Sequence, residues 1–235
     1  MKIIDLSQDI YNGMPVYPGH QRTSIFAMKT HEETKMVNGT GYSSITMGLL
    51  MSDHGPTHVD AEIHIDPSAD AKTIDQLPLE IFYTECICLD VSHVRGEENY
   101  ITKEILEKAL EDSGQQIKKG DAVLLYTGHY NRTYPDYGKW LFNYPGLDRE
   151  ATEWLCDQGV VNLGIDAPSI DSSMEMKRKI YPSHTVCKER KLINAENLAN
   201  LDQVAGKRFI VSMLPLKIKE ASGSPVRAVA ILEDE

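Results

Sequence analysis

Three of the chain's eight histidines and one aspartate fall in a single short stretch, HGPTHVDAEIH at 54–64. Histidine is the commonest metal-binding side chain and aspartate adds a hard oxygen able to bridge, so His54, His58 and Asp60 form a candidate ligand set for Zn²⁺, Mn²⁺ or Fe²⁺. His58 and Asp60 stand two apart and share a face if the chain is extended there, while Gly55 and Pro56 let the backbone fold His54 back towards them. Three protein ligands with a position left open describe a catalytic ion, not a structural one. The bland alternative is a histidine-rich surface loop, or imidazoles satisfied singly by core hydrogen bonds. That reading suits one isolated histidine better than a cluster of this density. The spacing is not HExxH, and Pro56 sits inside the segment, so a helical metalloprotease site has no support.

Covalent catalysis has no sequence support either: there is no GxSxG elbow, and none of Cys86, Cys88, Cys156 and Cys187 stands in a recognisable catalytic setting. The four cysteines also lack the density of a disulfide framework and the spacing of a paired CxxC site, so reduced thiols are expected. Cys86 and Cys88 in ECICLDV are read as two positions on one face of a buried strand.

The elements that position the cluster are most legible in the middle of the chain. Residues 85–91 and 121–127 are short apolar runs with the pattern of buried strands. Between them Thr102 can cap a helix that carries Ile105, Leu106, Ala109 and Leu110 on one stripe and ends near Gly114. A second helix starts with Asp148 as N-cap, turns Ala151, Trp154 and Leu155 to one side, and stops at Gly159 before the strand-like VVNLGID. Two successive βαβ units predict parallel strands with right-handed crossovers, whose C-terminal ends carry Thr127, His129 and Asp166. Residues 43–49, 209–216 and 226–232 read as further strands without intervening helices. The fold class is therefore α/β, a mixed sheet with βαβ units and additional antiparallel or barrel-like strands.

The chain has 235 residues, 41% hydrophobic and 25% charged, which fits one folded domain over 1–235 with a substantial core. A net charge of −11 repels nucleic acid and anionic membrane, so neither is an expected partner. The N-terminus MKIIDLSQDI lacks the apolar run of a signal peptide and no stretch of spanning length follows, so a cytoplasmic location is expected. The basic locality, MKRK at 176–179 with Lys188, Arg190 and Lys191, is ordinarily a solvated surface, though it could draw an anionic substrate to the mouth of a site.

The chain resembles the bacterial kynurenine formamidase and isatin hydrolase group, the cyclase family. That group's signature of His, three residues, His, one residue, Asp, three residues, His, with Gly and Thr before the second histidine, is met by His54, Thr57, His58, Asp60 and His64. Similarity extends through MPVYPG at 14–19, KTIDQLPLE at 72–80, YTGH at 126–129, PGLDREATEWL at 145–155, GIDAPSID at 164–171 and GSPVRAVAIL at 223–232.

The resemblance implies that His54, His58 and Asp60 hold one divalent ion, Zn²⁺ or Mn²⁺. It also implies that Asp60 bridges to a second ion held by His184 and Glu196, and that His64 transfers protons. On residue type alone, His184 would be an ordinary polar residue and Glu196 a solvated carboxylate at a helix end. Three departures bear on the substrate: Tyr17 stands where the formamidases usually have Trp, Glu62 where they have Pro, and His129 at a position that is often aromatic. Tyr17 and His129 are accordingly candidates for substrate contact. Glu62 would disfavour a carboxylate substrate if it faced the site.

The implied activity is hydrolysis of a small amide C–N bond, with an arylformamide such as N-formylkynurenine as the leading substrate and a homodimer or tetramer as the assembly. The alternatives are a hydrolase of a cyclic amide, imide or lactone, and a metal-binding protein without turnover. A sensor of the latter kind needs a DNA-binding element or a basic face, and the sequence offers neither.

Overall fold

The computed structural model describes residues 1–38 and 41–233. In chain order its strands are β1 (Lys2–Asp5), β2 (Ser24–Lys29), β3 (Thr46–Leu50), β4 (His58–Asp60), β5 (Tyr83–Asp90), β6 (Tyr100–Ile101), β7 (Ala122–Tyr126), β8 (Gly146–Leu147), β9 (Asn162–Ile165), β10 (Ile193–Glu196), β11 (Arg208–Ser212), β12 (Gly223–Pro225) and β13 (Val229–Leu232). The α-helices are α1 (His31–Asn38), α2 (Lys103–Ser113), α3 (His129–Thr133), α4 (Tyr137–Trp140), α5 (Arg149–Asp157), α6 (Ser173–Arg178) and α7 (Pro182–Arg190). Nine strands form one mixed sheet in the order β1-β13-β11-β5-β7-β9-β10-β4-β12, curled into a half-barrel.

Its centre is parallel, β5 to β7 to β9 to β10, and its flanks are antiparallel. Both βαβ units are present. Along β5 the side chains alternate between two cores. Cys86 and Cys88 pack with Leu124, Val211 and Ala230 on one face, whereas Ile87 and Leu89 pack with Val123, Leu106, Leu155 and Leu163 beneath α2 and α5 on the other. A strand apolar on both faces is what a sheet covered on both sides requires. The four cysteines are free thiols.

The helix boundaries follow their caps. Gly114 closes α2 in the left-handed region (φ 65°), and the Asp148 carboxylate accepts the Ala151 N–H at the start of α5. Thr102 occupies the N-cap of α2, yet its hydroxyl bonds the Glu104 carboxylate rather than a backbone N–H.

The flanking strands differ in part from their sequence reading. Residues 46–50 do form β3, but it pairs only with β2 in a separate two-stranded sheet whose Phe26, Met28, Met47, Leu49 and Leu50 are exposed. The strand reading holds, but sequence cannot say whether the faces of such a strand are covered. The 209–216 run leaves the sheet after Ser212, with Leu214 and Leu216 exposed, and the final strand is confined to β13. Among the described residues no helix is long and apolar enough to cross a membrane.

Candidate metal centre and substrate cavity

Period-two alternation puts the chemistry on one face of the sheet edge. In β4, Val59 enters the apolar core while His58 and Asp60 face the other way; in β10, Ile193 and Ala195 enter the core while Asn194 and Glu196 face out. The antiparallel register sets Glu196 opposite His58 and Ala195 opposite Val59, so the polar pairs meet side by side. His54 comes from the turn before β4, and its ring passes over Gly223 of β12. A Cβ at Gly223 would lie 2.8 Å from that ring, so glycine is what leaves it room. His184 projects from the first turn of α7.

The two oxygens of Asp60 face different imidazoles. Oδ1 lies 2.8 Å from His54 Nδ1 and 3.4 Å from His58 Nε2, whereas Oδ2 lies 3.7 Å from His184 Nε2 and accepts the Asn194 amide at 2.9 Å. Glu196 spans the pair, with Oε2 3.7 Å from His58 Nε2 and Oε1 3.4 Å from His184 Nε2. One nitrogen of each ring is engaged behind the cluster. His58 Nδ1 donates to the Pro56 carbonyl at 2.9 Å, His184 Nδ1 to Asp171 at 2.5 Å, and His54 Nε2 to the Ser222 hydroxyl at 2.8 Å, which donates in turn to Asp53. These outer bonds orient each ring and turn its other nitrogen towards the carboxylates.

The electrostatics suit a cation. Burial raises the Glu196 pKa, and the Asp60 charge adds to the rise. Burial also opposes charge on Asp60, but hydrogen bonds from His184, His54 and His58 hold it well below the usual carboxylate range. Against the same desolvation, Asp60 and Glu196 keep His58 above its usual value, and Asp171, Asp60 and Glu196 keep His184 well above it. Among the described residues the carboxylates of Asp60, Glu196 and Asp171 form ion pairs with imidazoles only. Buried carboxylates need positive charge nearby, and the donor set of imidazole nitrogen and carboxylate oxygen is one that Zn²⁺ and Mn²⁺ accept.

His64, at the end of a short 3₁₀ turn, lays its ring 4.0 Å from that of His54. One of its ring nitrogens falls within 4.8 Å of ligand atoms of His54 and Asp60. The surrounding atoms push its pKa down to about 4, with the Asp60 charge opposing and the neighbouring imidazoles assisting. It is therefore neutral at pH 7.

A cavity of about 390 Å³ opens above the cluster, floored by His54, His58, His184 and Glu196 and walled by Pro15, Val16, Tyr17, Trp140, Leu141 and Tyr181. Tyr17 thus lines the cavity, with its hydroxyl pKa raised by burial. His129 does not. It is buried behind the wall, stacked on Trp140 at 5.2 Å with Nε2 bonded to the Trp140 carbonyl, so it supports the wall and makes no substrate contact from there. Glu62 also turns away: its carboxylate accepts the Lys72 N–H and pairs with Lys191 at 3.4 Å. Sequence reasoning had no signal for Gln8, His20, Asn194 or Ser222. Asp171 did stand at the end of the GIDAPSID segment.

A curled mixed sheet with carboxylates and imidazoles paired on the floor of a cavity places the chain in the mixed α/β class, and the proteins it is similar to are hydrolases. The chain belongs to the cyclase family, whose model matches residues 4–172. It is 34% identical over 225 residues to the kynurenine formamidase of Paracidovorax citrulli (strain AAC00-1), covering 96% of this chain and 94% of that one. It is 29% identical over 230 residues to the kynurenine formamidase of Bacillus anthracis, covering 97% and 96%. Its fold is similar to isatin hydrolase A from Labrenzia aggregata, with a TM-score of 0.85 and 23% identity over 99% of this chain and 94% of that one. Isatin hydrolase A from Ralstonia solanacearum gives 0.84 and 25% over 99% and 92%.

Proposed function

We propose that the protein is a metal-dependent amidohydrolase that cleaves a small amide C–N bond, with an arylformamide such as N-formylkynurenine as its leading substrate. The observation that carries the reading is Asp60, whose two oxygens face separate imidazole groups on the cavity floor. In this reading His54, His58 and Asp60 hold one divalent ion, and Asp60, His184 and Glu196 a second. A divalent ion bound there supplies Lewis acidity, lowering the pKa of water from 15.7 to about 7 and polarising a carbonyl.

The chain's own residues supply the rest. His64, neutral and open to the cavity, accepts a proton on a ring nitrogen and delivers it to the departing nitrogen, which is a poor leaving group unless protonated. Tyr17, Trp140 and Tyr181 offer flat faces to an aryl ring. Lys188 lines the cavity and Glu62 is turned away, so a carboxylate on the substrate meets no repulsion from Glu62.

Protein stripped by chelation should lose turnover of N-formylkynurenine and regain it with Zn²⁺ or Mn²⁺. Full activity in protein shown by elemental analysis to be metal-free would end the reading. The full-length likeness to isatin hydrolases favours one second reading, hydrolysis of a cyclic amide. A panel of N-formylkynurenine, isatin, a cyclic imide and a lactone separates the two. The exposed apolar side chains of β2 and β3 and the free thiols suit a cytoplasmic homodimer or tetramer.

A further inference from the structure

Buried polar atoms in folded proteins find partners almost without exception, so those that do not point to a ligand. Among the described residues four buried side-chain atoms have none: Gln8 Nε2, His20 Nδ1, Asn162 Oδ1 and Glu175 Oε2. Two of the four belong to residues that line the cavity, Gln8 and His20, and both lie on the segment between β1 and β2. Gln8 is the more enclosed, 5% exposed. Its position is fixed through its backbone. The Gln8 N–H donates to Thr57 Oγ1 at 2.9 Å, and that hydroxyl donates to the Asn197 carbonyl at 2.6 Å. Thr57 adjoins His58 and Asn197 adjoins Glu196, so the Gln8 backbone is tied to the strands that carry the candidate ligands, and its side chain is buried in the cavity lining.

We propose that Gln8 is a specificity-determining residue, whose carboxamide donates a hydrogen bond to a carbonyl oxygen on the substrate close to the bond being cleaved. The inference rests on the amidohydrolase reading. The apolar walls hold the body of the ligand but cannot tell one flat ring from another, and a buried donor rejects an analogue that lacks the acceptor. With N-formylkynurenine as the leading substrate, that oxygen is the aryl ketone ortho to the amide nitrogen.

The test compares metal-loaded wild type, Gln8→Leu and Gln8→Glu on two substrates, formanilide and its ortho-acetyl derivative, with metal content and melting temperature checked. Wild type should favour the acetyl derivative in kcat/KM. Both variants should reduce that ratio about 2- to 10-fold, the worth of one neutral hydrogen bond, through KM more than kcat. Binding of the amine products, ortho-aminoacetophenone and aniline, to the same proteins repeats the comparison without turnover. If no amide is hydrolysed but wild type prefers the acetyl amine and the variants do not, the activity reading fails and the role of Gln8 stands. An unchanged preference in folded, metal-loaded variants overturns the proposal, as does a wild type with no preference.

Discussion

Asp171 gives the sharpest test of the two-ion arrangement, because it touches His184 and none of the other proposed ligands. Its side chain is fully buried; Oδ1 accepts the Ser183 N–H at 2.7 Å, and Oδ2 accepts His184 Nδ1 at 2.5 Å and the His184 N–H at 3.4 Å. The carboxylate thus closes the N-terminus of α7 and fixes the His184 tautomer at once. Asp171→Asn keeps the shape and removes one acceptor. With its oxygen towards Ser183, the amide NH₂ faces Nδ1 and drives the imidazole proton to Nε2, the atom that must be free to bind an ion. With the amide reversed, NH₂ opposes the Ser183 N–H at the helix start. Loss of such an outer partner weakens metal affinity by roughly 10- to 100-fold, or about 1.4–2.7 kcal/mol. The altered helix start costs about a further 0.5–2 kcal/mol of stability. Competition against a chromogenic chelator, with elemental analysis of the dialysed protein, should show one of two ions weakened and the other retained. Two ions bound with wild-type affinity, or both lost together from a folded protein, would refute the assignment of His184 to a separate ion.

The opposite side gives the complementary outcome: Ser222→Ala, which removes the hydroxyl between His54 Nε2 and Asp53, should weaken the other ion about tenfold and spare the one at His184, by the same competition assay. His64→Ala should retain both ions and lower kcat by roughly 10²–10⁴-fold. Loss of metal in that variant would instead make His64 a ligand, as its proximity to His54 and Asp60 allows. A pH prediction comes from Asp166, buried at the end of β9, where desolvation raises its pKa to about 6 against the hydrogen bonds from Thr127 and Gly128. The folded state then holds its proton more tightly than the unfolded chain, so its contribution to stability is present below pH 3.8 and is lost as pH rises through about 6. Urea unfolding at pH 4, 5 and 6 should show wild type losing up to roughly 3 kcal/mol relative to Asp166→Asn across that window. A flat difference would mean that the hydrogen bonds outweigh burial.

The parallel core was legible because its signals are local: apolar runs of strand length, a stripe at helical spacing, Asp148 as a cap and Gly114 as a stop. The candidate metal cluster was half legible. His54, His58 and Asp60 lie within one short segment and their alternation is visible there, but β10 is only four residues long and carries Asn194 and Glu196 on its polar face. Such a strand is indistinguishable from a loop until β9 and β4 pair on either side of it. Glu196 accordingly reads as a carboxylate at a helix end, although it sits on a strand opposite His58. His129 was misplaced for a related reason. It stands just beyond a parallel strand end, where ligands commonly gather, but the cluster lies two strands further along, where antiparallel β4 joins the edge of the parallel series. Of the outer partners, Asp53 adjoins His54 in sequence, but Asp171 and Ser222 stand 13 and 168 residues from the rings they touch, and only the fold brings them behind those rings.

The candidate ligands and the cavity wall are built on different kinds of structure, and this has consequences for how the site can vary. His58, Asp60 and Glu196 sit on paired strands whose register is fixed by burial of Val59 and Ala195, so a one-residue slip would send every donor into the core. Gln8, Tyr17 and His20 sit on the segment between β1 and β2, which is pinned at its start where the Leu6 N–H bonds the Ala228 carbonyl and Leu6 accepts the Ala199 N–H. The Gln8 N–H adds a second anchor on Thr57, and His20 lies with its ring 6.0 Å from that of His54, whereas the Tyr17 side chain stands on the cavity wall. The position where the formamidases usually carry Trp is on this segment, as Tyr17, whereas the signature residues His54, His58, Asp60 and His64 are all retained. Side-chain substitutions at Gln8 or Tyr17 should therefore redistribute activity among substrates at constant metal content, while substitutions of the polar residues on β4 and β10 should remove metal and activity together.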